Sequence, residues 1–339
     1  MKRISIKPVW TLHDPDRPPL PARLLDLLVQ VQATGSLLAA CQPLGLSYRH
    51  AWDLVRQGEV HFGTQLLHME RGKGSTLTAL GDKLVWADHR IHARLKPVLE
   101  SLASELSAEI AQLMSNQPAA LRLQASHGFA IEQLVHALAR AGVPVEHRYG
   151  SSTEAVAALA HYARWLAGDD LVVIDLATRR QGLMVAAGNP CRVYEISDLA
   201  RGELRFINRQ VGSGTRLLLE TMLAQAGIAS AAIAGFEQGE FTHAAVAAYV
   251  ASGMADVGFG LETAARQFKL DFIPLASERY FLLCRAATLA APALQPVLAL
   301  LHSAAFRAAM QTLPGYDPAN LGRVTPLQAA FAVPPPAPR

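Results

Sequence analysis

The sequence predicts an α/β protein in two parts joined by one long helix. Three patterns carry that prediction. Three short amphipathic helices and a Gly-rich hairpin fill about the first 80 residues. A heptad-like apolar stripe then runs to residue 114. From residue 119 onward, short strand and helix patterns alternate, as in a layered α/β domain. Apolar residues make up 51% and charged residues 17% of 339, enough for substantial cores and too apolar for a disordered chain.

The elements follow in order. RISIKPVW (3–10) alternates like a strand, and HDPDRPP (13–19) turns the chain. Pro21 opens a helix that sets Leu24, Leu27, Leu28 and Val31 on one face, and Gly35 stops it. Ser36 caps a helix of about two turns that ends at Pro43 and Gly45. Ser47 caps a third, in which Ala51, Trp52 and Val55 keep the helical period, so Trp52 is expected in the core. QLLHME, RGKGS and TLTAL then read as strand, turn and strand, with Arg71 and Lys73 at the tip. Two helices across a tight Gly turn, a third before them and a hairpin after them make a winged helix-turn-helix, assigned to residues 1–79.

Leu80, Leu84, Ile91, Leu95, Val98, Leu102, Leu106, Ile110 and Leu113 recur at helical spacings. Residues 80–118 are therefore read as a linker helix of roughly 50 Å, interrupted or kinked at Pro97. One narrow apolar seam of this length suits pairing with a second copy, so a homodimer or a tetramer is expected.

In the second part, strands are expected at 121–126, 143–150, 170–178, 204–209, 234–238, 255–260, 270–276 and 279–285. Helices are expected at 128–142, 152–168, 213–227, 242–253, 261–268 and 293–312. The βαβαβ order predicts a mainly parallel sheet. The tail AAFAVPPPAPR is Pro-rich, and residues 331–339 are expected to be disordered.

The net charge of +3 divides unevenly: residues 1–100 carry 13 basic and 9 acidic groups, the remainder 18 and 19. A mildly basic front fits nucleic acid, and a neutral back fits something small. Cys41, Cys191 and Cys284 are widely spaced with no CxxC, which points to a reducing compartment. No signal peptide and no run of 18 apolar residues is present, so the expected location is cytoplasmic, without membrane contact. HExxH, H-x-E…C-x-x-C and G-x-S-x-G are absent, so no catalytic group, metal site or cofactor is assigned.

Two sets of candidate site residues remain. Ser47, Tyr48, Arg49 and His50 begin the third helix and, with Arg71 and Lys73 on the wing, form a candidate DNA face. The alternative is a solvated face of a protein-binding winged helix. In NRQVGSGTRLLLE (208–220) a strand ends, a Gly-Ser-Gly turn follows and a helix begins. There Ser213, Gly214, Thr215 and Arg216 suit an anion at a helix N-terminus, although Ser213 equally suits a plain cap. Ser126 and His127, then Ser151, Ser152 and Thr153, then Thr242 and His243 occupy similar strand-to-helix corners, where α/β sheets bind ligands. Asp175 is read as bonding the next loop and Trp165 as core.

GSLLAACQPLGLSYRHAWDLV followed by FGTQLLHMERGKGSTLTALGDKL resembles the winged helix-turn-helix of ModE-type molybdate regulators, with a related pattern in LysR-type regulators. RQGLMVAAGNP, RFINRQVGSGTRLLLE, THAAVAAYVASGMADVGFG and LDFIPLASERYFLL resemble the periplasmic-binding-protein-like domain found fused to molybdopterin biosynthesis proteins and to such regulators. The resemblance implies a two-lobed type II domain over 119–330, with lobe one at 119–200 and 276–330, lobe two at 201–275, and a small anion in the cleft. ModE proteins sense molybdate with C-terminal β-barrels that this chain lacks, so the effector stays open among molybdate, tungstate, formate and a pterin. The implied function is a DNA-binding transcription regulator of molybdenum or molybdoenzyme genes, formate dehydrogenase among them. The alternative is a molybdopterin-handling protein or enzyme with a protein-binding winged helix.

Overall fold

The computed structural model describes residues 4–12, 14, 19–70, 74–114, 121–152, 154 and 170–331. They fall into two units, Lys7–Leu95, and Met1–Ile6 with Lys96–Arg339.

The first unit holds α1 (Ala22–Thr34), α2 (Leu37–Leu44), α3 (Tyr48–Phe62), β1 (Leu67–Glu70), β2 (Gly74–Leu77) and the opening turns of α4 (Ala79–Met114). Ser36 and Ser47 accept from Ala39 N and His50 N, the caps their positions predict. Leu24, Leu27, Leu28, Leu37, Ala51, Val55 and Leu66 share one core. The hairpin docks on the turn after α1: Ser75 N donates to Gly35 O (2.9 Å) and Leu37 N to Ser75 Oγ (3.2 Å). Three expectations change here. Residues 4–10 pair with no strand, and Pro8 there has no N–H to offer a ladder. Trp52 is 38% exposed, because the buried row of α3 is Ala51, Leu54, Val55 and Gly58, and Trp52 lies beside it. Leu84 belongs to this core rather than to a free seam.

Helix α4 continues through Pro97. Past Leu95 its face with Ser101, Ala103 and Ser104 covers β4 of the second unit, while Val98, Leu102, Leu106 and Ile110 stay exposed. Ser101 Oγ and Ser104 Oγ accept from Tyr149 N (3.0 Å) and His147 N (2.9 Å), which satisfies an edge strand through side chains.

The second unit begins with β3 (Leu121–Ser126), α5 (Phe129–Arg140) and β4 (Val145–Gly150), the two strands forming a parallel pair. Then come β5 (Leu171–Val185), β6 (Phe206–Arg209), α6 (Gly214–Gln225), β7 (Gly239–Glu240), α7 (His243–Ala251), β8 (Val257–Leu261), α8 (Glu262–Gln267) and β9 (Asp271–Arg285). A four-residue helix at Ala286–Leu289 leads to α9 (Gln295–Leu301), α10 (Ala304–Gln311), β10 (Tyr316–Asp317), β11 (Val324–Pro326) and a short α11 (Leu327–Ala330). The helix expected over 152–168 and the tail beyond Phe331 lie outside the described residues, apart from Ser152 and Glu154.

The sheet is mixed, not mainly parallel. β6 runs parallel to β7 and β8, but β5 is antiparallel to β8, β9, β10 and β11. The two strands expected at 270–276 and 279–285 are one, because β9 pairs with β5 along its whole length across two register shifts. The expected strand at 234–238 bends at Gly235 (φ 93°), and only Gly239–Glu240 joins β6. The expected helix at 293–312 breaks at Ser303, whose hydroxyl caps α10 by accepting from Phe306 N.

Apolar cores divide this unit into two lobes. Ile131, Leu134, Leu138, Ile174, Leu176, Val297, Leu301 and Phe306 share one. Leu183, Val185, Val193, Leu199, Phe206, Leu219 and Phe259 share the other. Residues 183–200, expected in lobe one, therefore pack in lobe two. Strands β5 and β9 are the elements that cross, each starting in one core and ending in the other.

Candidate functional site

Between the lobes, at the middle of β5 and β9, sits a cluster of buried polar side chains. Alternation on β5 puts Arg179 and Gln181 on one face, with Glu278 and Tyr280 beside them on β9. Arg179 Nε donates to Glu278 Oε2 (2.8 Å), and its guanidinium lies 3.9 Å from the Tyr280 ring centroid. Gln181 is fully buried; its Nε2 donates to Glu278 Oε2 (2.6 Å) and to Thr215 Oγ1 (3.1 Å) at the start of α6. The carboxylate fixes that amide orientation and leaves Gln181 Oε1 buried without a donor. From β6 comes Arg209, also buried, which donates to the carbonyls of Phe241 (2.8 Å) and Glu240 (3.3 Å).

Burial and then Arg179 push the Arg209 pKa down to about 9. Burial likewise, followed by Arg209 and Arg179, holds His243 well below its ordinary value, so it is a neutral imidazole. Burial pushes the Glu278 carboxyl up, but Arg179 and Gln181 outweigh it and hold the group below the usual carboxylate range.

The expected effector residues fare unequally. Ser126 O accepts from Tyr280 Oη (3.4 Å), Ser152 Oγ from Gly214 N (3.4 Å) and Thr215 Oγ1 from Gln181, so these positions do converge. His243 lies within electrostatic reach of Arg209, Arg179 and His127. Ser213 and Thr242 cap α6 and α7, accepting from Arg216 N and Ala245 N. Ser151 Oγ accepts from Glu154 N while Glu154 Oε2 accepts from Ser151 N, a reciprocal helix cap. His127 Nε2 sits 2.8 Å from Glu132 Oε1. Thr153 lies outside the described residues. The Arg216 guanidinium pairs with Glu220 (2.9 Å) and Glu237 (2.8 Å) and rests over Phe236. Asp175 accepts two bonds from Arg279 (2.5 and 2.9 Å), not loop donors alone.

On the other unit, Ser47, Tyr48, Arg49 and His50 are exposed along with Trp52, Arg56 and Gln57. Tyr48 and Trp52 form an edge-to-face pair at 6.4 Å. Arg71 and Lys73 lie outside the described residues. Among the described residues, no helix is long and apolar enough to cross a membrane.

From sequence, none of Arg179, Gln181, Arg209, Glu278 and Tyr280 is named, nor Arg56 on α3, and Trp52 is placed in the core. Polar residues breaking two apolar strand patterns, ATRRQG and FINR, were the available signal.

Two family models match the chain. Residues 22–82 match the bacterial regulatory helix-turn-helix proteins of the lysR family, and residues 136–302 match the PBP superfamily domain. An uncharacterised Bacillus subtilis protein, YvgK, is 35% identical over 161 residues, 48% of this chain and 52% of that protein; the chain thus spans about half its length. An uncharacterised Clostridium pasteurianum protein, from the 5′ region of a 2Fe-2S ferredoxin gene, is 34% identical over 109 residues, 32% of this chain and 96% of that protein. The molybdenum-pterin-binding protein MopB of Rhodobacter capsulatus is 27% identical over 191 residues, 54% of this chain and 69% of that protein. The chain thus carries a helix-turn-helix matching the lysR family over residues 22–82 and a PBP superfamily domain over residues 136–302.

Proposed function

We propose that this chain is a LysR-type regulator, that it grips operator DNA with the exposed face of α3 and that a small anionic effector between the lobes of the second unit sets the strength of that grip. The observation that carries the reading is the pair of buried guanidiniums, Arg179 and Arg209, facing Glu278 where the lobes meet. Buried charge left partly uncompensated is costly, and a ligand anion offsets that cost. Similarity to MopB supports target genes of molybdenum or molybdoenzyme metabolism. The apolar row Leu95, Val98, Leu102, Leu106 and Ile110, 40–52% exposed, supports a homodimer through α4. Two copies of α3 then read a near-palindromic site.

The test is an anisotropy titration of the full chain against DNA that it enriches from a random pool, at about 50 and 200 mM salt. Arg49→Ala and Arg56→Ala should each weaken binding by about 1–3 kcal/mol. Leu102→Asp with Leu106→Asp should sediment as a monomer and lose most affinity. Arginine variants that bind as tightly as wild type remove the DNA face, and a dimeric double variant removes the α4 seam.

A further inference from the structure

The cradle between the lobes holds acceptors as well as cations, and this restricts what can enter it. The inference rests on the effector reading above and narrows the class of ligand.

Three observations bear on it. First, Gln181 Oε1 is fully buried and lacks a donor, while the same amide's Nε2 is committed to Glu278 and Thr215 at the first turn of α6. A buried carbonyl oxygen left unpaired is unfavourable, so a bound group that donates to it is favoured. Second, Glu278 uses Oε2 for both Arg179 and Gln181, and Oε1 faces Gly214, where a Cβ built on that glycine would lie 3.6 Å away. Gly214 N already donates to Ser152 Oγ, so it does not occupy Oε1. Third, Arg209 is buried with two carbonyls and no carboxylate within hydrogen-bond reach among the described residues. It still attracts an anion.

A fully deprotonated oxyanion satisfies Arg209 but sets oxygen lone pairs against the Glu278 carboxylate and against Gln181 Oε1. Both contacts are repulsive and exclude such an ion, as unpaired groups exclude a wrong partner elsewhere. An anion that carries its own O–H or N–H satisfies both ends: its negative oxygen meets the guanidiniums, and its hydrogen meets the acceptors. We infer that the cradle selects anions bearing a hydrogen-bond donor, such as a protonated phosphate or a hydroxy- or N–H-bearing acid, over aprotic tetrahedral oxyanions of the molybdate and sulfate kind.

Matched probes test this by calorimetry and thermal shift on the full chain at about pH 7.5, where phosphate retains a proton and sulfate and molybdate do not. Phosphate is compared with sulfate and molybdate, and glycolate with acetate. The expected result is that the donor-bearing member of at least one set binds roughly tenfold or more tightly than its aprotic counterpart. Glu278→Gln, which removes the repulsive charge, should pull that ratio toward one by admitting the aprotic ions. The wild-type ratio decides the matter even if Glu278→Gln folds poorly. Tighter binding of sulfate, molybdate or acetate by wild type, lost in Arg209→Met, leaves the anion site standing and overturns the donor rule. If none of the five ions binds, or if binding survives Arg209→Met unchanged, the anion site itself falls and the donor rule with it.

Discussion

Replacing Arg209 by Met should stabilise the ligand-free protein and abolish its response to an effector. The guanidinium is buried against Arg179, and the fall of its pKa from the ordinary 12.5 to about 9 corresponds to about 5 kcal/mol against the charged form. That value is already net of the hydrogen bonds to the carbonyls of Phe241 and Glu240. By analogy with other buried charges, wild type should be about 2 kcal/mol less stable than a well-packed apolar replacement. For a domain of this size that is about 4–8 °C in the transition of the second unit. The sign with pH follows. A base whose folded pKa lies below its unfolded one destabilises the protein at every pH below the folded value, so the wild-type handicap should shrink only as pH rises through about 9. Urea unfolding of both proteins at pH 7 and pH 9.5 measures it. If Arg209→Met is less stable than wild type by about 1 kcal/mol or more at pH 7, the guanidinium is a structural strut and not a ligand group held at a cost.

Two further predictions concern stability, one near the site and one in the first unit. Burial pushes the Glu132 carboxyl up, but His127 (2.8 Å) and Lys96 (3.0 Å) outweigh it and hold the pKa at about 2 against an ordinary 4.5. A depressed carboxyl contributes stability above its unfolded pKa and loses it as pH falls, so the roughly 3 kcal/mol separating wild type from Glu132→Gln should fade between about pH 4.5 and 2 in urea titrations; a gap independent of pH removes the ion-pair account. In the first unit, a Cβ on Gly58 would meet Leu66 Cδ1 at 2.7 Å and Leu24 Cδ2 closer still. Gly58→Ala should therefore lower stability by about 1–2 kcal/mol although Ala is the better helix former, and a rise in melting temperature would show that both leucines yield freely.

The sequence was most legible where one residue type answers one local need. Ser36, Ser47, Ser213 and Thr242 all cap the helices that follow them, and the apolar faces of α1 and α5 point to cores as their spacing requires. It was least legible where a side chain could turn either way. Arg216 stands at a helix N-terminus, a position that suits an anion, yet Glu220 four residues on marks a pair along the same helix. Trp52 shows the converse error, because large apolar residues are not always inside. Gln181 and Glu278 escaped because they lie on parts of β5 and β9 whose extension depends on pairing between the strands, a distant relation that local periodicity does not express.

That pairing also explains how occupancy of the cradle can reach beyond it. Arg179 and Gln181 on β5, with Glu278 and Tyr280 on β9, sit between the stretches of those strands that belong to different cores. Ser126 and Ser152 approach from lobe one, Thr215 and Arg209 from lobe two, and Ser152 meets Gly214 directly across the gap. A ligand that bonds both sets gains its full contact energy only when the lobes are together, and a state that lacks one set binds it more weakly. Differential affinity is the whole of what an effector can use to move an equilibrium, commonly about 1–3 kcal/mol. On the proposed reading, site residues placed on the two crossing strands would convert that difference into a change of lobe closure, whereas Arg216, bonded to Glu220 and Glu237 of its own lobe, would not.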